Sequence, residues 1–185
     1  VDSNTFELNT WDVTDYVAAS GNNAWYTRGG DGYISITNVI LVVEKDPKDF
    51  FDTGSPDKHY YPSIAGTHTG TLKVTNDMTI STMYTYPCPG TGGHTELVKI
   101  WNETTGDCAE AHWDGYHGNY HNISFNPTLT LKRGVIYNYT ITTGSYPRIH
   151  HQDELVGEGG VIRCAEFTDV NGKEYDSWIP AFKLY

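Results

Sequence analysis

The fold is decided by a stretch of alternating side chains, Val135-Ile-Tyr-Asn-Tyr-Thr-Ile-Thr-Thr143. Tyr137, Tyr139 and Ile141 project from one face of an extended strand and Asn138 from the other, because successive side chains of a strand alternate. β-branched and aromatic residues of this kind favour strands. The stretch therefore predicts a strand with one buried and one solvent-facing side.

The same pattern recurs along the chain, interrupted by Gly and Asn turn signals. Many short strands at this spacing are typical of an all-β protein, here a β-sandwich or jelly-roll-like fold with long loops and little or no helix. The predicted strands are Thr5–Trp11, Ala24–Thr27, Tyr33–Lys45, Gly70–Thr75, Thr79–Tyr86, Thr95–Asn102, Ala109–Trp113, His121–Phe125, Thr128–Lys132, Val135–Thr143, Gly160–Glu166 and Ile179–Leu184.

The charge balance limits the classes of partner. The 185 residues include 12 Lys and Arg against 23 Asp and Glu, a net charge of −11. Nucleic acids and anionic membrane surfaces both need a basic patch, so neither is expected as a partner. The longest aliphatic run, Val39-Ile-Leu-Val-Val43, is far shorter than the roughly 20 residues of a membrane span, so direct membrane insertion is not expected.

The pattern divides the chain into three parts. Residues 46–61 are rich in Pro, Asp and Gly and predict a connector before a sandwich domain at 62–185. Residues 1–45 form about four strands, too few to bury a core alone. We expect them to be the closing strands of a sheet, or an assembly element that packs on its own chain or on a neighbouring copy.

Three Asn-x-Ser/Thr sequences, at Asn102, Asn122 and Asn138, predict N-linked glycans. Glycosylation of this kind places the protein outside the cell or at the cell surface.

Several motifs within residues 60–185 resemble a module repeated in secreted and cell-surface proteins of methanogenic and related archaea. Residues 1–45 resemble the closing strands of a second archaeal surface domain. The resemblance implies location and architecture, and no activity comes with it. The motifs that carry the first resemblance are Tyr61-Pro-Ser-Ile-Ala-Gly-Thr-His68, Tyr86-Pro-Cys-Pro-Gly-Thr-Gly-Gly-His-Thr-Glu96, Trp113-Asp-Gly-Tyr116, His121-Asn-Ile-Ser124, Tyr137-Asn-Tyr-Thr-Ile141, Thr143–His151 and Trp178-Ile-Pro-Ala181.

Cys88 and Cys164 lie within or beside these shared motifs, whereas Cys108 lies in a loop. In an oxidising exterior we expect a Cys88–Cys164 disulfide. A bridge from Cys108 to either one, or three free buried thiols, remains open, because connectivity cannot be derived from sequence alone.

His94 and Glu96 alternate on a predicted strand and so project from one face. His150 and His151 could add a further ligand, which would suit Zn or Cu. The spacing matches no standard zinc motif, so the alternative is a structural polar network. Calcium is not expected at Asp169–Asp176, because its Asn171-Gly pair is typical of a type I′ hairpin.

The loop His112–His121 has the composition of a sugar-binding loop. Its aromatic rings could stack on pyranose rings while its polar side chains bond sugar hydroxyls, although an exposed aromatic loop is the simpler interpretation. The candidate residues are Trp113, Asp114, Tyr116 and Tyr120, with Asn119 as a further polar partner.

No hydrolase or phosphate-loop motif is present in the sequence. We therefore expect a non-enzymatic structural module of an archaeal cell envelope, such as a filament, sheath or surface layer (S-layer), which self-associates through β-strand contacts. The alternative is an extracellular glycan- or metal-binding module.

Overall fold

The alternating stretch 135–143 forms most of the strand Ile136–Gly144 in the computed structural model, which describes residues 49–185. Tyr137, Tyr139 and Ile141 are buried, and Asn138 and Thr140 lie on the opposite, partly exposed face. The predicted alternation is therefore confirmed. The predicted N-terminal strands, including Val39–Val43, lie outside the described residues.

The described residues form thirteen strands and no helix, so none of them forms a helix that could cross a membrane. The strands are β1 (Phe51–Asp52), β2 (Gly66–Val74), β3 (Met78–Thr85), β4 (His94–Trp101), β5 (Cys108–His112), β6 (Asn122–Leu131), β7 (Ile136–Gly144), β8 (Ile149–His150), β9 (Glu154–Gly157), β10 (Gly160–Asp169), β11 (Glu174–Tyr175), β12 (Ile179–Pro180) and β13 (Phe182–Leu184).

Two antiparallel sheets make up the architecture. The larger has the order β11-β10-β2-β7-β4-β5, with β9 also paired to β10, and the smaller has the order β1-β13-β3-β6. Strands β8 and β12 form a separate two-stranded pair. The strand β7 lies between β2 and β4, so its hydrogen bonds are satisfied on both edges.

The inner faces of both sheets contribute to one hydrophobic core, which confirms the predicted all-β sandwich. Each large apolar side chain buried in this way contributes about 1.5–3 kcal/mol relative to an exposed one. The larger sheet supplies Leu72, Val98, Ile100, Ile141 and Ile162, and the smaller sheet supplies Ile80, Met83, Leu131, Phe182 and Leu184.

The core begins inside the predicted connector. Phe51 is fully buried and pairs with Leu184 near the C-terminus, and Asp52 pairs with Lys183. The predicted strand 179–184 is divided by Ala181 into β12 and β13, which belong to different sheets. The two strands predicted at 121–125 and 128–132 are one strand, β6, with a register shift opposite Ser81.

Gly70 on β2 lies directly against the Tyr139 ring, and this close approach predicts a large effect of Gly70→Ala. The new methyl would overlap the Arg163 carbonyl oxygen and lie 2.7 Å from the Tyr139 hydroxyl. Urea unfolding should show a loss of at least about 1–3 kcal/mol, the usual penalty for overpacking. The control Thr71→Ala, at the next position on the partly exposed face, should lose less than about 1 kcal/mol. Equal losses would contradict this packing.

Candidate functional site: the aromatic loops and their histidines

The loop between β5 and β6 brings the predicted sugar-binding aromatic residues together. Trp113 Nε1 donates a hydrogen bond to the Tyr120 carbonyl at 3.1 Å, which closes the loop. Tyr116 meets Trp113 edge to face at 4.6 Å between ring centroids, and meets Tyr120 at 5.1 Å. Asp114 is exposed on the same loop. The predicted group is therefore one packed cluster.

One face of this cluster is occupied by His94 from the start of β4. Its imidazole stacks on Trp113 with ring centroids 3.8 Å apart and an interplanar angle of 23°. His94 Nδ1 donates to the Gly92 carbonyl at 2.6 Å. Because the imidazole covers it, that face of Trp113 cannot stack on a sugar.

The Nε2 atom of His94 is buried without a hydrogen-bond partner among the described residues. The nearest carboxylate oxygen, Glu96 Oε1, is 3.8 Å away. An added Cβ at Gly144 would lie only 2.5 Å from Nε2, so a glycine is required there. His94 and Glu96 do approach each other, as the sequence predicted.

The other two predicted metal ligands bond elsewhere. His150 Nε2 contacts the Gly54 carbonyl at 3.1 Å, and burial lowers its pKa. His151 Nε2 contacts the Pro62 carbonyl at 2.9 Å, and its ring lies against Trp178. Within residues 49–185 no group of three or more His, Cys, Asp or Glu is arranged to hold a metal ion. The predicted set of four ligands is not brought together, because His150 and His151 each form a hydrogen bond with a backbone carbonyl.

The predicted Cys88–Cys164 disulfide is wrong in this structure, where all three cysteines are free. The Cys88 thiol is buried and donates to the Pro147 carbonyl at 3.4 Å. The Cys164 thiol, beside a bulge in β10, donates to the Trp178 carbonyl at 3.4 Å. The two sulfur atoms thus face different loops, and only Cys108 is exposed.

This arrangement predicts the reactivity of the thiols. In the monomer purified without reductant, Ellman's reagent should label one thiol, Cys108, quickly and label all three after denaturation. Burial raises the pKa of Cys164, which further slows its reaction because the thiolate is the reactive form. If only one thiol reacts in denaturant, the other two are oxidised, as in the Cys88–Cys164 disulfide.

The three predicted glycosylation sites differ in geometry. Asn102 is 8% exposed; its Nδ2 donates to the Ile136 carbonyl at 2.9 Å, and its Oδ1 accepts from the Thr104 and Thr105 amides. A sugar on Nδ2 would have to be attached to an atom of this buried side chain. Asn122 and Asn138 are partly exposed, Asn138 on the outer face of β7. The geometry therefore favours Asn122 and Asn138, and glycosylation itself stays a prediction.

The predicted hairpin at Asn171-Gly172 is present, joining β10 to β11. Its turn is not type I′, because Gly172 has a positive φ of 82° and Asn171 does not. Asp169 Oδ1 accepts from the Asn171 amide at 2.8 Å and from the Lys173 amide at 3.0 Å. This carboxylate therefore stabilises the turn.

Two structural residues were missed by sequence reasoning. His68 is fully buried on β2, stacks on Phe167 at 4.1 Å, and bonds the Trp178 carbonyl through Nδ1 at 3.0 Å. Arg148 donates to the Pro87 carbonyl and to Ser55 Oγ, and so connects two loops. The alternation of β2 places His68 on the buried face, so its burial could have been predicted from the sequence. No local pattern predicts that Arg148 connects two loops.

His68 predicts acid sensitivity. Burial lowers the pKa of His68 to about 3, whereas an unfolded histidine titrates near about 6.5. The unfolded chain therefore binds a proton first, and the free energy of unfolding falls as pH drops from about 6.5 towards 3, by up to about 1.4 kcal/mol per pH unit.

His68→Asn keeps an amide donor but cannot titrate, so its stability should depend less steeply on pH. The exposed control His117→Asn should keep the wild-type slope in urea unfolding at several pH values, and equal slopes for all three proteins would contradict the assignment.

Comparisons with known proteins match the N-terminal part alone. A family described as a protein of unknown function (DUF3344) matches residues 1–44, which lie outside the described residues. No curated protein and no solved structure matches the chain.

Proposed function

We propose that the protein is a non-enzymatic structural module of an extracellular assembly, a filament, sheath or surface layer of an archaeal cell envelope. In this proposal copies of the chain join through β-strand contacts and carry N-linked glycans. The acidic net charge of −11, the three sequons and the resemblance of residues 60–185 support it. The proposal assigns no reaction to the chain.

The observation that carries the proposal is that the larger sheet is open, with edge strands whose outward backbone groups are not used within the sheet. Strand β5 forms one edge and lies close to β6 of the smaller sheet, and β9 and β11 lie along the other edge. On β5, the Trp113 amide bonds the Glu96 carbonyl and the Asn102 amide bonds the Asp107 carbonyl. Antiparallel hydrogen bonds alternate, so the backbone groups of Glu110 point away from β4.

The same alternation applies to β9. The Cys164 amide bonds the Asp153 carbonyl, so the backbone groups of Glu154 and Val156 point away from β10. The Val156 side chain is 75% exposed. Two sheet edges on one module are what head-to-tail strand addition needs, since each copy can contact a neighbour on both sides.

One edge of the smaller sheet is less available for the addition of a strand. Its edge strand β1 is bridged to the larger sheet, because the Asp52 amide and carbonyl both bond Glu158 at 2.8 Å. The bridge lies just beyond the end of β9, so the outward groups of Glu154 and Val156 are not part of it, and the proposal places strand addition on the larger sheet. The added strand in this proposal is supplied by residues 1–45 of a neighbouring copy, which include the apolar run Val39–Val43.

Proline substitutions at the two edges test the proposal. Val156→Pro and Glu110→Pro each remove an outward amide that the intramolecular ladder does not use, so the fold should be retained. The full-length chain should assemble with rising concentration in sedimentation and electron microscopy, and at least one proline variant should stop at the monomer or a short oligomer.

The matched controls are Val156→Thr and Glu110→Thr, which keep the amide and should assemble like the wild type. Deletion of residues 1–45 should abolish assembly if that segment supplies the strand. Proline variants that assemble normally would eliminate edge-strand addition. A wild-type protein that stays monomeric at high concentration would favour the alternative, an extracellular binding module.

A further inference from the structure

Three exposed tyrosines surround the glycine-rich segment 88–93. Tyr61, Tyr116 and Tyr146 have 55%, 61% and 50% of their surface exposed. The Tyr61 loop is joined to this segment through Ser63, because Ser63 Oγ and the Cys88 thiol donate to the same carbonyl, that of Pro147. An added Cβ at Gly92 would lie 3.1 Å from the Tyr116 hydroxyl. All three tyrosines therefore border the same segment. We name Tyr61, Tyr116 and Tyr146 the tyrosine face.

The loops that carry the tyrosine face are held rigidly by hydrogen bonds to one another. The Tyr146 carbonyl accepts from the Cys88 amide at 3.0 Å and from Thr91 Oγ1 at 3.1 Å. The Pro147 carbonyl accepts from Ser63 Oγ and from the Cys88 thiol. A surface with its rings already positioned loses little conformational entropy when it binds a ligand.

The backbone next to Tyr146 is strained. Ser145 has a φ of 56°, and among the described residues it is the single non-glycine residue with a positive φ. A non-glycine residue in the left-handed region costs of order 1–3 kcal/mol and persists where surrounding contacts require it. Here the strained residue directly precedes the exposed ring of Tyr146.

The chemistry of the surrounding residues indicates the class of ligand. The segments 60–63, 86–93, 113–121 and 144–148 contain one Lys or Arg, Arg148. Its guanidinium already donates to the Pro87 carbonyl, Ser55 Oγ and the Pro56 carbonyl and lies over the Tyr60 ring. These segments contain no second Lys or Arg that could hold an anionic ligand. The side chains of Asp114 and Glu96 are exposed and can accept hydrogen bonds from hydroxyl groups.

A protein partner fits this surface less well. Every exposed large hydrophobic side chain in these four segments is a tyrosine, and none is aliphatic. Separate aromatic rings beside carboxylate acceptors match the alternating C–H faces and hydroxyl groups of a sugar chain. The rings lie on separate loops, so a chain lying across them can use more of the face than a single sugar.

We propose that the tyrosine face binds a neutral polysaccharide chain, with Tyr61, Tyr116 and Tyr146 as stacking platforms and Asp114 and Glu96 as hydroxyl acceptors. Trp113 is a positioning residue, because His94 covers one of its faces. The inference is independent of the strand assembly proposed above and can be tested on the monomeric proline variants.

The experiment titrates the full-length protein, expressed without glycans, with neutral hexasaccharides of β-1,4-linked glucose, mannose and N-acetylglucosamine. The acidic hexamer of galacturonic acid serves as the comparison. At least one neutral hexasaccharide should bind in calorimetry at millimolar concentration, and the acidic hexamer should not. Tyr116→Ala and Tyr146→Ala should each weaken binding by at least about fivefold, the effect of losing a contact of about 1 kcal/mol.

Matched variants separate stacking from folding. Tyr116→Phe and Tyr146→Phe keep the ring and should retain binding, and Ile136→Ala, at an exposed apolar residue on β7, should bind like the wild type. Urea unfolding of each variant checks that the fold is retained. Binding of no neutral hexasaccharide would overturn the proposal, as would tighter binding of the acidic hexamer or unchanged binding in the two alanine variants.

Discussion

The structure depends on burying the hydroxyl groups of two tyrosines on the central strand β7. A buried hydroxyl without a partner is costly, so each must be satisfied inside the sandwich. Tyr139 donates to the Arg163 carbonyl on β10 at 3.1 Å, and Tyr137 accepts from the Lys132 amide at 2.9 Å. Burial raises the pKa of Tyr139, so the phenol stays protonated and keeps its bond. The Tyr139 bond crosses β2, and for this reason β2 has a glycine, Gly70, beneath the ring.

The long strands could be predicted because their information is local. Alternation over five or more residues identifies the buried face whatever the partner strand is, and β7 shows this most clearly. The two-residue strands β1, β8 and β11 carry too little local pattern. They exist because a strand that is distant in sequence offers hydrogen bonds to them, as β13 does to Phe51 and β12 does to β8. The strand at 179–184 shows the same limit, since tertiary pairing divides it between two sheets.

The candidate site could be predicted in composition but not in geometry. The sequence placed Trp113, Tyr116 and Tyr120 on one loop, and they do pack together. Which ring faces remain free depends on His94, which is nineteen positions from Trp113 in the chain and stacks on it only in the folded state. Tyr61 and Tyr146 lie in motifs to which the sequence assigned no sugar contact, and their place beside segment 88–93 follows from hydrogen bonds between distant loops. The cysteine pairing failed for the same reason, because thiol orientation is a tertiary property.

Free cysteines and an extracellular location are compatible in this fold. Oxidation proceeds through the thiolate and needs access, and two of the three thiols are protected, Cys88 by its burial and Cys164 by its raised pKa. Cys88 is buried and donates to a carbonyl, and burial raises the pKa of Cys164, whose thiol also donates to a carbonyl. Cys108 alone is exposed, at the start of edge strand β5, so it is the thiol available for a bridge between copies. A sandwich that buries this many apolar and aromatic side chains between its sheets does not require a disulfide to close its core, and the loops around Cys88 are already held by Arg148 and the Pro147 carbonyl.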